Sequence, residues 1–123
     1  MKIVELMNKN VVTCHSSEKL NIILNKFELF KVAGMPVVDK GKLVGIICQT
    51  DILKGLKQGA IQDLTVKDVM VREVITATPT ESAVVAAKIM LDHHVNRVPI
   101  MENNKLVGIV TRSDIIKAVA ECG

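Results

Sequence analysis

The chain is a sequence written twice. Gly45-Ile46-Ile47-Cys48-Gln49-Thr50-Asp51-Ile52 returns as Gly108-Ile109-Val110-Thr111-Arg112-Ser113-Asp114-Ile115, an offset of 63 residues that runs without a gap. The same offset pairs Met7 with Met70, Thr13 with Thr76, Glu18 with Glu81, Pro36 with Pro99 and Lys54 with Lys117. Lys42-Leu43-Val44-Gly45-Ile46 recurs unchanged in type as Lys105-Leu106-Val107-Gly108-Ile109. Such a match is too long for shared composition, so two copies of one unit are expected, 1–60 and 61–123. A copy of about sixty residues buries too little surface to be comfortably stable alone, so the two should pack on each other.

The core must be aliphatic. Apolar residues make up 49% of the chain, yet Trp and Tyr are absent and the aromatics are Phe27 and Phe30. No apolar run approaches the roughly 18 residues that span a bilayer, and no basic leader opens the chain, so a soluble, cytoplasmic protein is expected. Sixteen Lys and Arg against 13 Asp and Glu give a net charge of +3 with no dense cluster, a weak footprint for nucleic acid. Cys14, Cys48 and Cys122 are odd in number and lack a CxxC spacing, which argues for reduced thiols and against a disulfide framework or a zinc site.

Along each copy the pattern predicts β-α-β-β-α. Ile3 to Met7 and Val66 to Met70 are short amphipathic openings, with Thr65 placed to cap the second. Val11-Val12-Thr13 and Val74-Ile75-Thr76 suit short strands. Thr78-Pro79-Thr80-Glu81 reads as a capping box that starts a helix, and Ser16-Ser17-Glu18 does this less cleanly. The helices then carry core stripes, Leu20, Ile23, Leu24, Phe27 and Phe30 in the first copy and Ala83, Ala86, Ala87, Met90 and Leu91 in the second. Two apolar strands follow in each copy, joined at Lys40-Gly41-Lys42 and Asn103-Asn104-Lys105, where Gly and Asn tolerate the positive φ of a tight hairpin. Closing helices are expected over Asp51 to Leu56 and Asp114 to Glu121.

With its strands Met35-Pro36-Val37-Val38-Asp39 and Val98-Pro99-Ile100-Met101-Glu102, each followed by a Gly-hydrophobic-hydrophobic stretch that ends in Asp51 or Asp114, the chain resembles a tandem pair of CBS domains, a Bateman module. The resemblance runs from about Ile3 to Val119. It implies an α+β fold of two β-α-β-β-α repeats packed with pseudo-twofold symmetry. It also implies a regulatory module without catalysis or a resident cofactor, with clefts for an adenosine-containing ligand: AMP, ATP, S-adenosylmethionine or methylthioadenosine.

The residues suit such a ligand. Asp114 can accept from both ribose hydroxyls, and hydrogen bonds to a charged group contribute roughly 1.5–3 kcal/mol each. Thr111 and Ser113 supply hydroxyls, and the backbone N–H groups at the start of the last helix favour an anion. Ile75, Val95 and Pro99 can form dry walls for the base. The counterparts in the first copy are Val12, Val32, Thr50 and Asp51, with Cys48, a poor substitute for a hydroxyl, in place of Thr111. By the resemblance, Arg97 serves the phosphate of a ligand at Asp51. The Asp114 cleft, facing only Ala33 and Gly34, then favours S-adenosylmethionine, methylthioadenosine or AMP over ATP, unless Arg112 restores charge.

A plainer reading competes. Ser113-Asp114 also reads as a simple helix start with Ser113 as the cap, whereas Thr111 lies two residues too early for that role. Neighbouring His93 and His94 do not share a helix face, so no metal site is expected, and no Walker, G-x-S-x-G or G-x-G-x-x-G pattern points to an enzyme. The alternative function is a constitutive protein-interaction or nucleic-acid-binding module. A homodimer is expected, because flanking amphipathic helices leave apolar stripes that one module hardly covers, and a regulated protein partner is a further expectation.

Overall fold

A computed structural model describes residues 1–122, with Cys122 described by its backbone alone. The elements in chain order are α1 (Leu20–Phe30), β1 (Gly34–Asp39), β2 (Lys42–Cys48), α2 (Gln49–Gly55), α3 (Val66–Val69), α4 (Ala83–His93), β3 (Arg97–Glu102), β4 (Lys105–Thr111) and α5 (Arg112–Cys122). The strands form two small antiparallel sheets, β1 with β2 and β3 with β4.

Both hairpins close where the turn residues require it. Lys40 and Gly41 have φ of 51° and 76°, and Asn103 and Asn104 have 52° and 62°, the two positive values of a type I′ turn. Each hairpin carries one bulge, between Val37 and Val38 in one and Ile100 and Met101 in the other. The strand expected before α1 is not formed. Val11-Val12-Thr13 leads only to a single parallel bridge, Cys14 to Val37, and Val74-Ile75-Thr76 to its equivalent, Ala77 to Ile100. β-Branched residues make these stretches extended, but one bridge gives no ladder.

Two compact units emerge, and they do not follow the halves of the sequence. One is Val12–Val74; the other joins Met1–Val11 to the chain from Ile75 onward. In the first unit the stretch around α3 closes the core. Val66 is fully buried, and its N–H donates to the Glu18 carbonyl, the Lys67 N–H to Ser16 and the Leu20 N–H to Leu64. In the second unit the first residues of the chain do the same work 63 positions earlier. Ile3 is fully buried, and its N–H donates to Glu81, the Val4 N–H to Pro79 and the Ala83 N–H to Met1. Each repeat is therefore completed by the opening segment that precedes the other repeat.

Two glycines make room for these segments. A Cβ on Gly45 would sit 2.7 Å from the Met70 sulfur and 2.9 Å from the Val71 carbonyl oxygen, and one on Gly108 would sit 2.5 Å from the Met7 sulfur. The Met70-Val71 and Met7-Asn8 segments can lie this close only because no side chain stands between.

The core stripes are narrower than the periodicity predicts. Leu20, Ile23 and Phe27 are buried in α1, and Ala86 and Met90 in α4, while Leu24, Phe30 and Leu91 remain 38%, 49% and 75% exposed. Thr78 does not cap α4. Its N–H and hydroxyl both donate to Glu81 in the turn ahead of the helix, and Ser82 takes the cap position, accepting from the Val84 N–H. The opening helix of the first copy is a single 3-10 turn at Ile3–Glu5, whereas Thr65 does cap α3.

Candidate functional site

Six turns of one design recur in the described chain, each with a backbone N–H at one residue donating to a carboxylate three residues on. They fall into three pairs at the 63-residue offset: Lys2 with Glu5 and Thr65 with Asp68, His15 with Glu18 and Thr78 with Glu81, and Cys48 with Asp51 and Thr111 with Asp114. At Thr65, Thr78 and Thr111 the hydroxyl donates to the same carboxylate at 3.0–3.1 Å. Lys2, His15 and Cys48 have no hydroxyl to offer.

The Thr111 turn joins β4 to α5 and corrects the cap assignment. Thr111 itself is the last residue before the helix, and Asp114 is the third residue within it. The Thr111 N–H donates to Asp114 Oδ2 at 2.8 Å, the Thr111 hydroxyl to the same oxygen at 3.0 Å, and the Asp114 N–H reaches the hydroxyl at 3.4 Å. Ser113 lies inside the first turn, exposed, and is not the cap. The cap uses only Oδ2; among the described residues Oδ1 takes no hydrogen bond. Asp114 is half-buried, so this carboxylate is both oriented and reachable.

Strand register places Arg97, half-buried, opposite Thr111. Ile75 and Val95 keep 37% and 36% of their surface exposed, whereas Pro99 is fully buried, with its carbonyl accepting from the Ala77 N–H. Arg112 and Val95 line a groove of about 510 Å³ between α4 and α5, along with Met90, Leu91, His94 and Ile116. The Arg112 N–H donates to the Asn96 carbonyl at 2.8 Å and pins the start of α5 to the chain after α4.

The equivalent turn in the other unit is built differently. Cys48 caps α2, its sulfur accepting from the third residue of the helix and its N–H donating to Asp51 at 2.8 Å. Asp51 is 9% exposed, a buried carboxylate where Asp114 is a half-open one. Thr50 is exposed, and Val12 and Val32 pack as half-buried residues on the core of the first unit.

Cys14 is buried in the core of the first unit. Burial pushes its thiol up to about 12 from an ordinary 9.0, and the Glu18 carboxylate adds to the effect. The folded state holds the proton where the unfolded chain gives it up, so this contribution is full below pH 9 and is lost as pH rises toward 12. Urea unfolding at pH 8 and pH 10.5 should show wild type losing more stability across that interval than Cys14→Ala, and equal losses would contradict it. Among the described residues no group of three or more His, Cys, Asp or Glu side chains could hold a metal ion. No helix among them is long and apolar enough to cross a membrane.

Comparison with known proteins explains the duplication. The CBS domain model matches twice, at residues 3–58 and 66–121. The solved CBS domain pair of protein MJ0100, in complex with methylthioadenosine and S-adenosylmethionine, superposes with a TM-score of 0.91 at 30% identity, over 100% of this chain and 98% of that one. The CBS domain-containing protein YhcV of Bacillus subtilis is 30% identical over 90% of this chain and 80% of its own length. The inosine-5'-monophosphate dehydrogenase of Methanocaldococcus jannaschii is 37% identical over 92% of this chain, but the chain spans only 22% of that enzyme. The chain belongs to the CBS domain family and is a tandem CBS pair.

Proposed function

We propose that this CBS pair is a regulatory module that binds an adenosine-containing small molecule, with Asp114 reading the ribose. The observation that carries the reading is the half-used Asp114 carboxylate. Its Oδ2 is held by Thr111, which fixes its direction, and Oδ1 is left to accept from a ligand hydroxyl. One oriented oxygen suits one strong hydrogen bond to the diol, and the exposed surfaces of Ile75 and Val95 suit the base. The solved pair that binds methylthioadenosine and S-adenosylmethionine shares 30% of its residues with this chain, which supports these two as first candidates, with AMP and ATP after them.

In this reading the chain performs no catalysis. It passes the ligand signal to a partner, and it works as a homodimer, because Leu91, Val119 and Leu53 are at least 65% exposed and ask to be covered. A constitutive interaction module is the competing function; in that case Asp114 is a helix cap and nothing more.

Thermal unfolding in the presence of each candidate separates the two. A ligand at one hundred times its Kd adds about 2.7 kcal/mol to the folded state, which is several degrees in Tm for a domain of this size. A rise with methylthioadenosine or S-adenosylmethionine at millimolar concentration is expected. No rise with any of the four gives the lead to the interaction module.

A further inference from the structure

We infer that the chain takes its adenosine ligand at the second repeat only, one per chain, and that the equivalent turn of the first repeat serves as a latch that fastens α2 to α3. The inference rests on the reading of Asp114 given above and assigns a different task to Asp51.

The two carboxylates begin alike. Asp51 and Asp114 are each the third residue of a helix that follows directly on a strand, and each accepts from the N–H three residues back at 2.8 Å. The helix face on which each stands then separates them. In α2, Asp51 and Gly55 lie four residues apart and share one side of the helix, and both are buried. That side is pressed against the chain at α3. A Cβ on Gly55 would lie 2.4 Å from Val69 Cγ1, closer than packed carbons come, and 3.7 Å from Leu64 Cδ1. Leu64, Val69 and Asp51 all belong to the Val12–Val74 unit, so the packing on this side of α2 comes from within its own unit.

In α5 the residue equivalent to Gly55 is Ala118, and the one equivalent to Val69 is Leu6. A methyl group stands where α2 has none, and a leucine where α3 has a valine, so α5 cannot be drawn in to the same depth. Asp114 and Ala118 are accordingly half-buried where Asp51 and Gly55 are buried. The residue ahead of each carboxylate follows the same division. Thr111 gives its hydroxyl to Asp114, whereas Cys48 has none and serves as the cap of α2 through its sulfur. A ribose hydroxyl must reach a carboxylate to be read, and Asp51, 9% exposed, leaves it little surface. Asp51 instead closes the start of α2, whose Gly55 seats the segment that carries the fully buried Val66.

Equilibrium dialysis with labelled methylthioadenosine and S-adenosylmethionine, on wild type, Asp51→Asn, Gly55→Ala and Asp114→Ala, counts the sites, with thermal unfolding of each protein beside it. Wild type should saturate at one ligand per chain. Asp51→Asn, which keeps an oxygen for the Cys48 N–H, and Gly55→Ala should bind within about twofold of wild type at the same saturation, while Asp114→Ala binds about tenfold or more weakly. Gly55→Ala should also melt several degrees lower, although Ala is the better helix former. Saturation at two ligands per chain, one of them lost in Asp51→Asn, overturns the inference and leaves the reading of Asp114 standing. A single site lost in Asp51→Asn and kept in Asp114→Ala overturns both, as does a wild type that binds neither ligand. A Gly55→Ala protein as stable as wild type overturns the latch.

Discussion

Ile3→Ala should lower stability by about 2–5 kcal/mol. Ile3 is fully buried among Ala77, Ala86, Met90, Val98, Ile100 and Val110, core residues that begin more than seventy positions later in the sequence. Truncating it leaves a cavity that the surrounding β3–β4 hairpin and α4 cannot fill without moving. Val4, its neighbour, is 39% exposed, and Val4→Ala should cost under about 0.5 kcal/mol. Urea denaturation of both variants checks the contrast. Equal, small losses would mean that the opening segment is a loose tail and that the second unit closes without it.

Asp114→Ala should weaken the ligand by tenfold or more. A hydrogen bond to a charged group contributes roughly 1.5–3 kcal/mol, and each 1.4 kcal/mol is a factor of ten in Kd. The substitution also removes the acceptor that holds Thr111, so part of any loss could come from a loosened helix start. Glu81→Ala separates the two causes. It removes the acceptor of a turn with the same hydrogen bonds, Thr78 N–H and hydroxyl to one carboxylate, outside the proposed site. Lower stability with unchanged binding is expected for Glu81→Ala, and lower stability with lost binding for Asp114→Ala. Asp51→Ala should destabilise the first unit, since Asp51 is buried and bonded to the Cys48 N–H, and it should leave the Asp114 site intact.

Much of this was legible in the amino-acid sequence, and the parts that were not share a cause. The duplication, the hairpins and the helices follow from patterns a few residues long, and Gly41, Asn103 and Asn104 stand where only their backbone freedom allows the turn. The exchange of opening segments is not of this kind. An offset of 63 says that Ile3 and Val66 are equivalent, but it does not say on which copy each one closes, and that choice is made by packing over Gly45 and Gly108. The expected strands at Val11–Thr13 and Val74–Thr76 failed for a related reason: β-branched residues favour extension, while a ladder also needs a partner along its length.

The cap of α5 carries a sequence signal that the neighbouring Ser113-Asp114 obscures. Thr65-x-x-Asp68, Thr78-x-x-Glu81 and Thr111-x-x-Asp114 share the capping-box spacing. Ser113-Asp114 has the look of a helix start, but Thr111 fits the same frame as Thr65 and Thr78. The spacing signals a carboxylate held by a turn, and burial decides what more it can do. Glu5 and Asp68 are exposed, Asp51 is enclosed, and Glu18, Glu81 and Asp114 lie between; of these three, Asp114 is the one that sits where a strand passes directly into a helix.

Calorimetric titration of the wild-type chain with methylthioadenosine and S-adenosylmethionine, repeated on Asp114→Ala, bears most directly on the reading of Asp114 as a ribose acceptor. Saturable binding of at least one of them, weakened tenfold or more by the substitution, is the predicted result. Binding of equal strength in both proteins, or no heat from either ligand at millimolar concentration, would contradict it and return Asp114 to the role of a helix cap.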